Sequence, residues 1–362
     1  MDLREHLTAL CTTPGLSAYE TPVRALIEET WRPWVNEIDG DRLGSLWGIR
    51  HGSGREPRRR IMLAAHMDAI GMMVRRVQDG FLELTAIGGI DDRVLPGSLV
   101  EVHAAGRAKP LAGVVVSIPP HLQKSANRSD VTPLGKLYVD VGLPTADVAR
   151  AVHIGDLVTF AQPPTALGDG MLVANSLDNR AAVATLSRCL EALQGRPHEW
   201  DVVAVATVQE EVTYGGAFSS TFGIQPDIAI AIDVTWARQP GLQAWQTFIS
   251  GEGPTVGWGP NQHPKLHALL QDTARELELP LHQEFLPRPG GTDSFAIQIS
   301  RAGIPTADIG LPLKNMHTPV EMVSLRDLQR AARLIAEFIT RLNGETMAKL
   351  ALDGAEESER ES

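Results

Sequence analysis

The stretch VVAVATVQEE (202–211) decides the reading of this chain. Its apolar part, VVAVATVQ (202–209), is rich in β-branched residues and has the length of a buried strand, so Glu210 and Glu211 fall where the strand stops. Open α/β sheets place ligands in the crevice outside the carboxyl ends of their strands. Neighbours on an extended chain point to opposite sides, so the two carboxylates are expected to do different work.

Other segments end in the same way. IMLAAHMD (61–68) closes on His66, a spacer and Asp68, and period-2 geometry sends both side chains to one side. The carboxylate can then orient the imidazole and set its tautomer for metal binding. DIAIAIDVT (227–235) carries Asp233 at its end. NSLDNRAAVATLSRCLEAL (175–193) reads as a loop entering a helix, with Asp178 in the first turn, where the dipole favours an anion. His317, in NMHTPVE (315–321), follows the strand IPTADIGLP (304–312).

Each signal is weak alone. A single histidine is usually a structural one, an acid at a helix start a cap, and paired glutamates a solvated surface. Five segments with the same ending form a site. Two histidines and three carboxylates without cysteine exceed what one structural zinc takes, and suit two ions of zinc, cobalt or manganese bridged by a carboxylate, with one acid left as general base.

At 362 residues two domains are expected. Hydrophobic residues make up 43% and charged ones 21%, an ordinary globular balance. The net charge of −11 leaves no basic stripe for nucleic acid. No apolar run is long enough to span a bilayer, and the start lacks the order of a signal peptide. Cys11 and Cys189 read as two reduced, buried thiols, which points to a cytoplasmic protein.

Ser17 and Glu20 match a capping box ahead of VRALIEETW (23–31). QHPKLHALLQDTARELEL (262–279) reads as a second amphipathic helix. In the last one, opened by Ser324, Leu328, Ala331, Leu334, Ile335, Phe338 and Leu342 share a face and Gly344 ends it. Helices alternating with apolar strands give the expected fold class: α/β, a mixed, mostly parallel sheet flanked by helices. Between residues 70 and 164 short alternating strands with Gly/Pro turns replace this pattern and read as an inserted small β-barrel or sandwich. The expected division is a discontinuous catalytic domain (1–69 and 165–345), the insert (70–164) and an acidic, disordered tail (346–362).

In order along the chain, AAHMDAIG (64–71), PPHLQ (119–123), NSLDNR (175–180), QEEV (209–212), AIDVT (231–235), GGTDS (290–294) and MHTPVEMV (316–323) resemble the tetrahedral (TET-type) dinuclear metallo-aminopeptidases. That family includes glutamyl and deblocking aminopeptidases and is often labelled endoglucanase. The resemblance implies a zinc-exopeptidase-like fold whose insert is a PDZ-like dimerisation domain, and removal of the N-terminal residue of peptides through a metal-bound water. It implies that His66 and Asp233 bind one metal and Glu211 and His317 the other, with Asp178 bridging. Glu210 would be the general base, Asp68 would orient His66, and Gly291, Thr292 and Asp293 would wall the substrate pocket. The assembly implied is a dimer, and often a hollow dodecamer.

The chain departs from the family at Thr213-Tyr214-Gly215, where Gly-Leu-Arg is usual, and at Lys314-Asn315, where Arg-Tyr is common. Neither change touches an expected ligand; both bear on how substrate is held. Two other readings stay open. A deacetylase or carboxypeptidase could use the same metals, with Lys314 for a substrate carboxylate. An endoglucanase would need two facing carboxyls and no metal cluster, and commonly aromatic sugar platforms, whereas aromatics are only 5% here.

Overall fold

A computed structural model of the chain describes residues 1–122, 130–288 and 290–352. Four parallel strands form the middle of an 11-stranded mixed sheet: Asp201–Thr207, Arg60–His66, Ile228–Trp236 and Thr306–Lys314, side by side in that order. Antiparallel strands extend both edges. Along the central strands alternate residues enter different cores. Ile61, Leu63, Val202, Ala204, Ile228 and Ile230 face the helices Leu3–Thr12, Leu177–Ala192, Pro264–Glu276 and Leu325–Ile339. Met62, Ala64, Val203, Val205, Ala229 and Ala231 face Gly215–Ile224 and Asp293–Gln298. Both faces are covered, which is why these strands read as unbroken apolar runs.

Register decides where the strands end. Thr207 pairs with His66, Ala64 with Ala231, and Asp233 with Gly310. His66 and Asp233 therefore stand at one level on adjacent strands, about 4.8 Å apart in the pairing direction.

Between Gly71 and Phe160 six strands close into a barrel. It has its own core, built on Met72, Val74, Leu82, Leu84, Val100, Val102, Val139 and Val158. Its first hairpin, Gly71–Gln78 with Phe81–Ile87, turns on Asp79-Gly80, both at positive φ, the two-residue loop that matches the strand twist. A separate core supports the proposal that about 70–164 is an insert in a discontinuous domain.

Several local expectations are corrected. The paired glutamates do not continue an extended strand: the strand stops at Thr207, and Glu210–Thr213 is a short helical turn. Asp178 and Asn179 have non-helical backbone angles, so the regular helix begins after them. Ser17 and Glu20 make no capping box. The helix Thr21–Trp31 has no side-chain cap, because Ser17 donates to Asp68 and Glu20 accepts from the backbone of Ala18 and Gln209. The last long helix ends at Ile339, before Gly344. Residues assigned to the tail also fold: Thr346–Leu350 is helical with Leu350 buried, while the acidic end, 353–362, lies outside the described residues.

Candidate metal centre

Asp178 sits between two histidines. Its Oδ1 lies 3.2 Å from His66 Nε2 and its Oδ2 lies 3.3 Å from His317 Nε2. On the first side Asp233 Oδ1 is 3.7 Å and Glu210 Oε2 is 3.8 Å from the His66 nitrogen. On the second, Glu211 Oε2 is 3.6 Å from the His317 nitrogen. Two triads result, His66/Asp178/Asp233 and Asp178/Glu211/His317, with Asp178 common to both.

Donor chemistry and spacing both fit divalent cations. Ligands about 2.0–2.1 Å from a tetrahedral ion stand roughly 3.4 Å apart, in the range seen here. Five carboxylates (Asp178, Glu210, Glu211, Asp233, Asp293) crowd two imidazoles, and among the described residues no Lys or Arg lines the cavity. Unpaired buried charge of that density is costly without a cation. Glu211 Oε1 is buried with no hydrogen-bond partner among the described residues, a further sign that the oxygens await something other than a proton donor.

The titration behaviour says the same. Burial, reinforced by Asp233, Asp293 and Asp178 against the opposing His66, pushes Glu210 up to about 10. Burial and Asp178 push Glu211 up to about 7. His66 loses basicity by burial, but Glu210, Asp178, Asp68 and Asp233 outweigh that and hold it well above the usual imidazole range.

The surroundings hold the groups in place. His66 Nδ1 lies 3.2 Å from the backbone carbonyl of Asp68 and 3.5 Å from its carboxylate. That carboxylate, fully buried, accepts from Ser17 Oγ at 2.7 Å and from the backbone N–H groups of Glu210 and Glu211. Glu321 accepts the N–H of His317 at 2.8 Å and that of Asp178 at 3.1 Å, tying the two sides of the centre together. The motif MHTPVEMV contains Glu321, but nothing in its spacing gave it a role; an acid in an otherwise apolar strand start was the only signal. The barrel also reaches the site: Gly89 lines the cavity, and a β-carbon there would stand 3.2 Å from His317 Nδ1.

The centre opens into a cavity of about 420 Å³. Gly291 and Thr292 line it. Asp293 does not: it is buried behind the wall, accepting a 2.5 Å hydrogen bond from Thr207. Lys314 is absent from the lining too. Sequence reading missed Glu284 and Asp308, both in the cavity wall and both raised by burial, Asp308 to about 6.

A mixed sheet with parallel central strands, this centre at their ends and a closed barrel beside it, is the framework of a metal-dependent hydrolase. The chain belongs to the M42 glutamyl aminopeptidase family, whose model matches residues 44–334. It is similar to a lysyl aminopeptidase of Pyrococcus furiosus, 34% identical over 93% of this chain and 97% of that one. In structure it is similar to a TET aminopeptidase of a marine-sediment Thaumarchaeota archaeon, with a TM-score of 0.91 and 28% identity over 96% of this chain and 99% of the other. It is also similar to the TET1 peptidase of Pyrococcus horikoshii, described as assembling into a tetrahedron or a large octahedral shell, with a TM-score of 0.81 and 27% identity over 94% and 100%.

Proposed function

We propose that this aminopeptidase works through two divalent cations, zinc or cobalt with manganese as a third candidate. His66 and Asp233 would hold one, Glu211 and His317 the other, and Asp178 would bridge them. The observation that carries this reading is the position of Asp178, one oxygen toward each histidine. Ions held there would supply Lewis acidity toward a water and the scissile carbonyl.

The chain's own residues do the rest. Glu210 forms no side-chain hydrogen bond among the described residues and lies beside the His66 triad, placed to take a proton from the attacking water and return it to the leaving amine. Its high proton affinity comes first from burial and then from the surrounding carboxylates, whose share cations would relieve. Asp68 positions His66, and through two backbone N–H groups it also positions both glutamates. The carboxylates around the second triad would receive the substrate's free α-amine, restricting cleavage to the first residue. Gly291 and Thr292 would contact the chain beyond it.

A carboxypeptidase needs a Lys or Arg for the substrate carboxylate, and among the described residues none lines the cavity, Lys314 included. Aminoacyl-, N-acetyl- and carboxyl-terminal peptides plus carboxymethylcellulose, each assayed after chelation and again with zinc or cobalt restored, separate the readings. Aminoacyl peptides alone should be cut, and only with metal. Full activity in verified metal-free enzyme would end the metal reading, and cutting of blocked peptides or cellulose would end the aminopeptidase one.

We further propose a homo-oligomer, built from dimers joined through the barrel and extending to a dodecamer. The barrel exposes Leu99 at 64% and Ile154 at 73%, large apolar side chains that suit an interface. A cytoplasmic location rests on the thiols of Cys11 and Cys189, which are free and buried. No helix among the described residues is long and apolar enough to cross a membrane.

A further inference from the structure

We infer that Glu284 and Asp308 receive the side chain of the substrate's first residue and select a positively charged one, lysine or arginine. The inference rests on the aminopeptidase reading and deepens it. Both carboxylates line the cavity that contains the metal centre, yet neither belongs to a metal triad.

Each is locked in place by neutral donors. Glu284 accepts from Thr235 Oγ1 at 2.6 Å and from Thr255 Oγ1 at 2.7 Å. Asp308 accepts from Thr292 Oγ1 at 3.1 Å, Ser294 Oγ at 2.8 Å and Gln262 Nε2 at 2.5 Å. No Lys, Arg or His among the described residues pairs with either acid. Two oriented acids facing one cavity, with hydroxyls and an amide behind them and no cation among the described residues in front, form an incomplete ion pair.

Distance and shape match a long cationic side chain. Glu284 touches Thr235, two residues beyond Asp233 on the same strand and the same face, and two strand residues span about 6.6–6.8 Å. That is a gap for a four-carbon stem to cross from the metal centre to the acids. Gly310, in the cavity lining, leaves room for this pair: a β-carbon there would stand 2.3 Å from Thr255 Oγ1 and 3.0 Å from Glu284 Oε2. Trp236 and Leu286 in the lining offer apolar surface for the stem, while the charged head meets the carboxylates. An acidic side chain would meet like charge, and an aliphatic one would leave both acids buried and uncompensated.

Two measurements test the inference. In steady state, the kcat/KM ratio of lysyl to leucyl p-nitroanilide should exceed about 10 for the zinc-loaded enzyme, with glutamyl substrate poorest. The ratio should fall at least about 10-fold in Glu284→Gln and, separately, in Asp308→Asn. In calorimetric titration of the zinc-loaded Glu210→Gln protein, lysinamide should bind at least about 10-fold tighter than leucinamide. A leucyl or glutamyl preference in the wild type, equal binding of the two amides, or a ratio unmoved in both variants overturns the inference. Failure to cut any aminoacyl substrate would instead strike at the aminopeptidase reading, and the amide titration would still decide the preference.

Discussion

Asp68 and Glu210 are joined by a hydrogen bond from the Glu210 backbone N–H to Asp68 Oδ1, 3.0 Å long, while Asp68 Oδ2 accepts the next N–H, from Glu211, at 3.2 Å. One buried residue thus positions a histidine on one strand end through its backbone carbonyl, and two acids after the neighbouring one through its carboxylate. Asp68→Asn keeps the shape but must lose at least one of these charge-assisted bonds. Stability should fall by about 1.5–3 kcal/mol, the usual worth of a hydrogen bond to a charged group. Turnover should fall with it, even in protein that denaturant titration shows to be folded at the assay temperature. Unchanged melting and turnover would mean that Asp68 positions nothing.

Glu210 and Glu211 should separate cleanly. Glu210→Gln removes the base and leaves both triads, so metal content should remain near wild type while kcat falls by about 10²–10⁴-fold and KM changes less. Glu211→Gln weakens one triad, so elemental analysis should find metal lost there, partly restored by added metal. The reverse pattern would exchange the two roles.

Assembly is read by sedimentation. Because the proposed interface uses exposed apolar side chains of the barrel, Leu99→Glu combined with Ile154→Glu should reduce the oligomer to smaller species without unfolding it. A wild-type monomer at working concentration would contradict the proposed dimer.

His6 should make the protein acid-sensitive away from the metal centre. Burial, helped by the N-terminal ammonium, lowers its pKa from 6.5 to about 4. The unfolded chain therefore takes a proton that the folded chain refuses. The stability is fully present above about 6.5 and is lost as pH falls toward 4, by a total on the order of 3 kcal/mol. His6→Gln, which can still bond Ser187, should flatten the melting-temperature profile between those limits. An unaltered slope would assign the acid sensitivity to other groups.

The order of residues was enough to read the sheet and a small β-rich unit, and to name histidines and acids that the fold brings close together. Runs such as VVAVATVQ and DIAIAIDVT are buried on both faces, and the ends of parallel strands leave few places for a histidine or an acid to go. It misjudged how the chain turns after those ends: the helical turn at Glu210–Thr213, the non-helical Asp178 and the diversion of Ser17 to Asp68 in place of a cap. Local propensity favoured a capping box there, and a buried carboxylate 51 residues away won because leaving it unpaired costs more than leaving a cap unmade. Tertiary structure alone decided that Glu321 ties Asp178 to His317, that Asp293 stands behind the wall, and that Glu284 and Asp308 face one cavity. Those relations depend on strand order and register across separate segments, and no spacing within one segment encodes them.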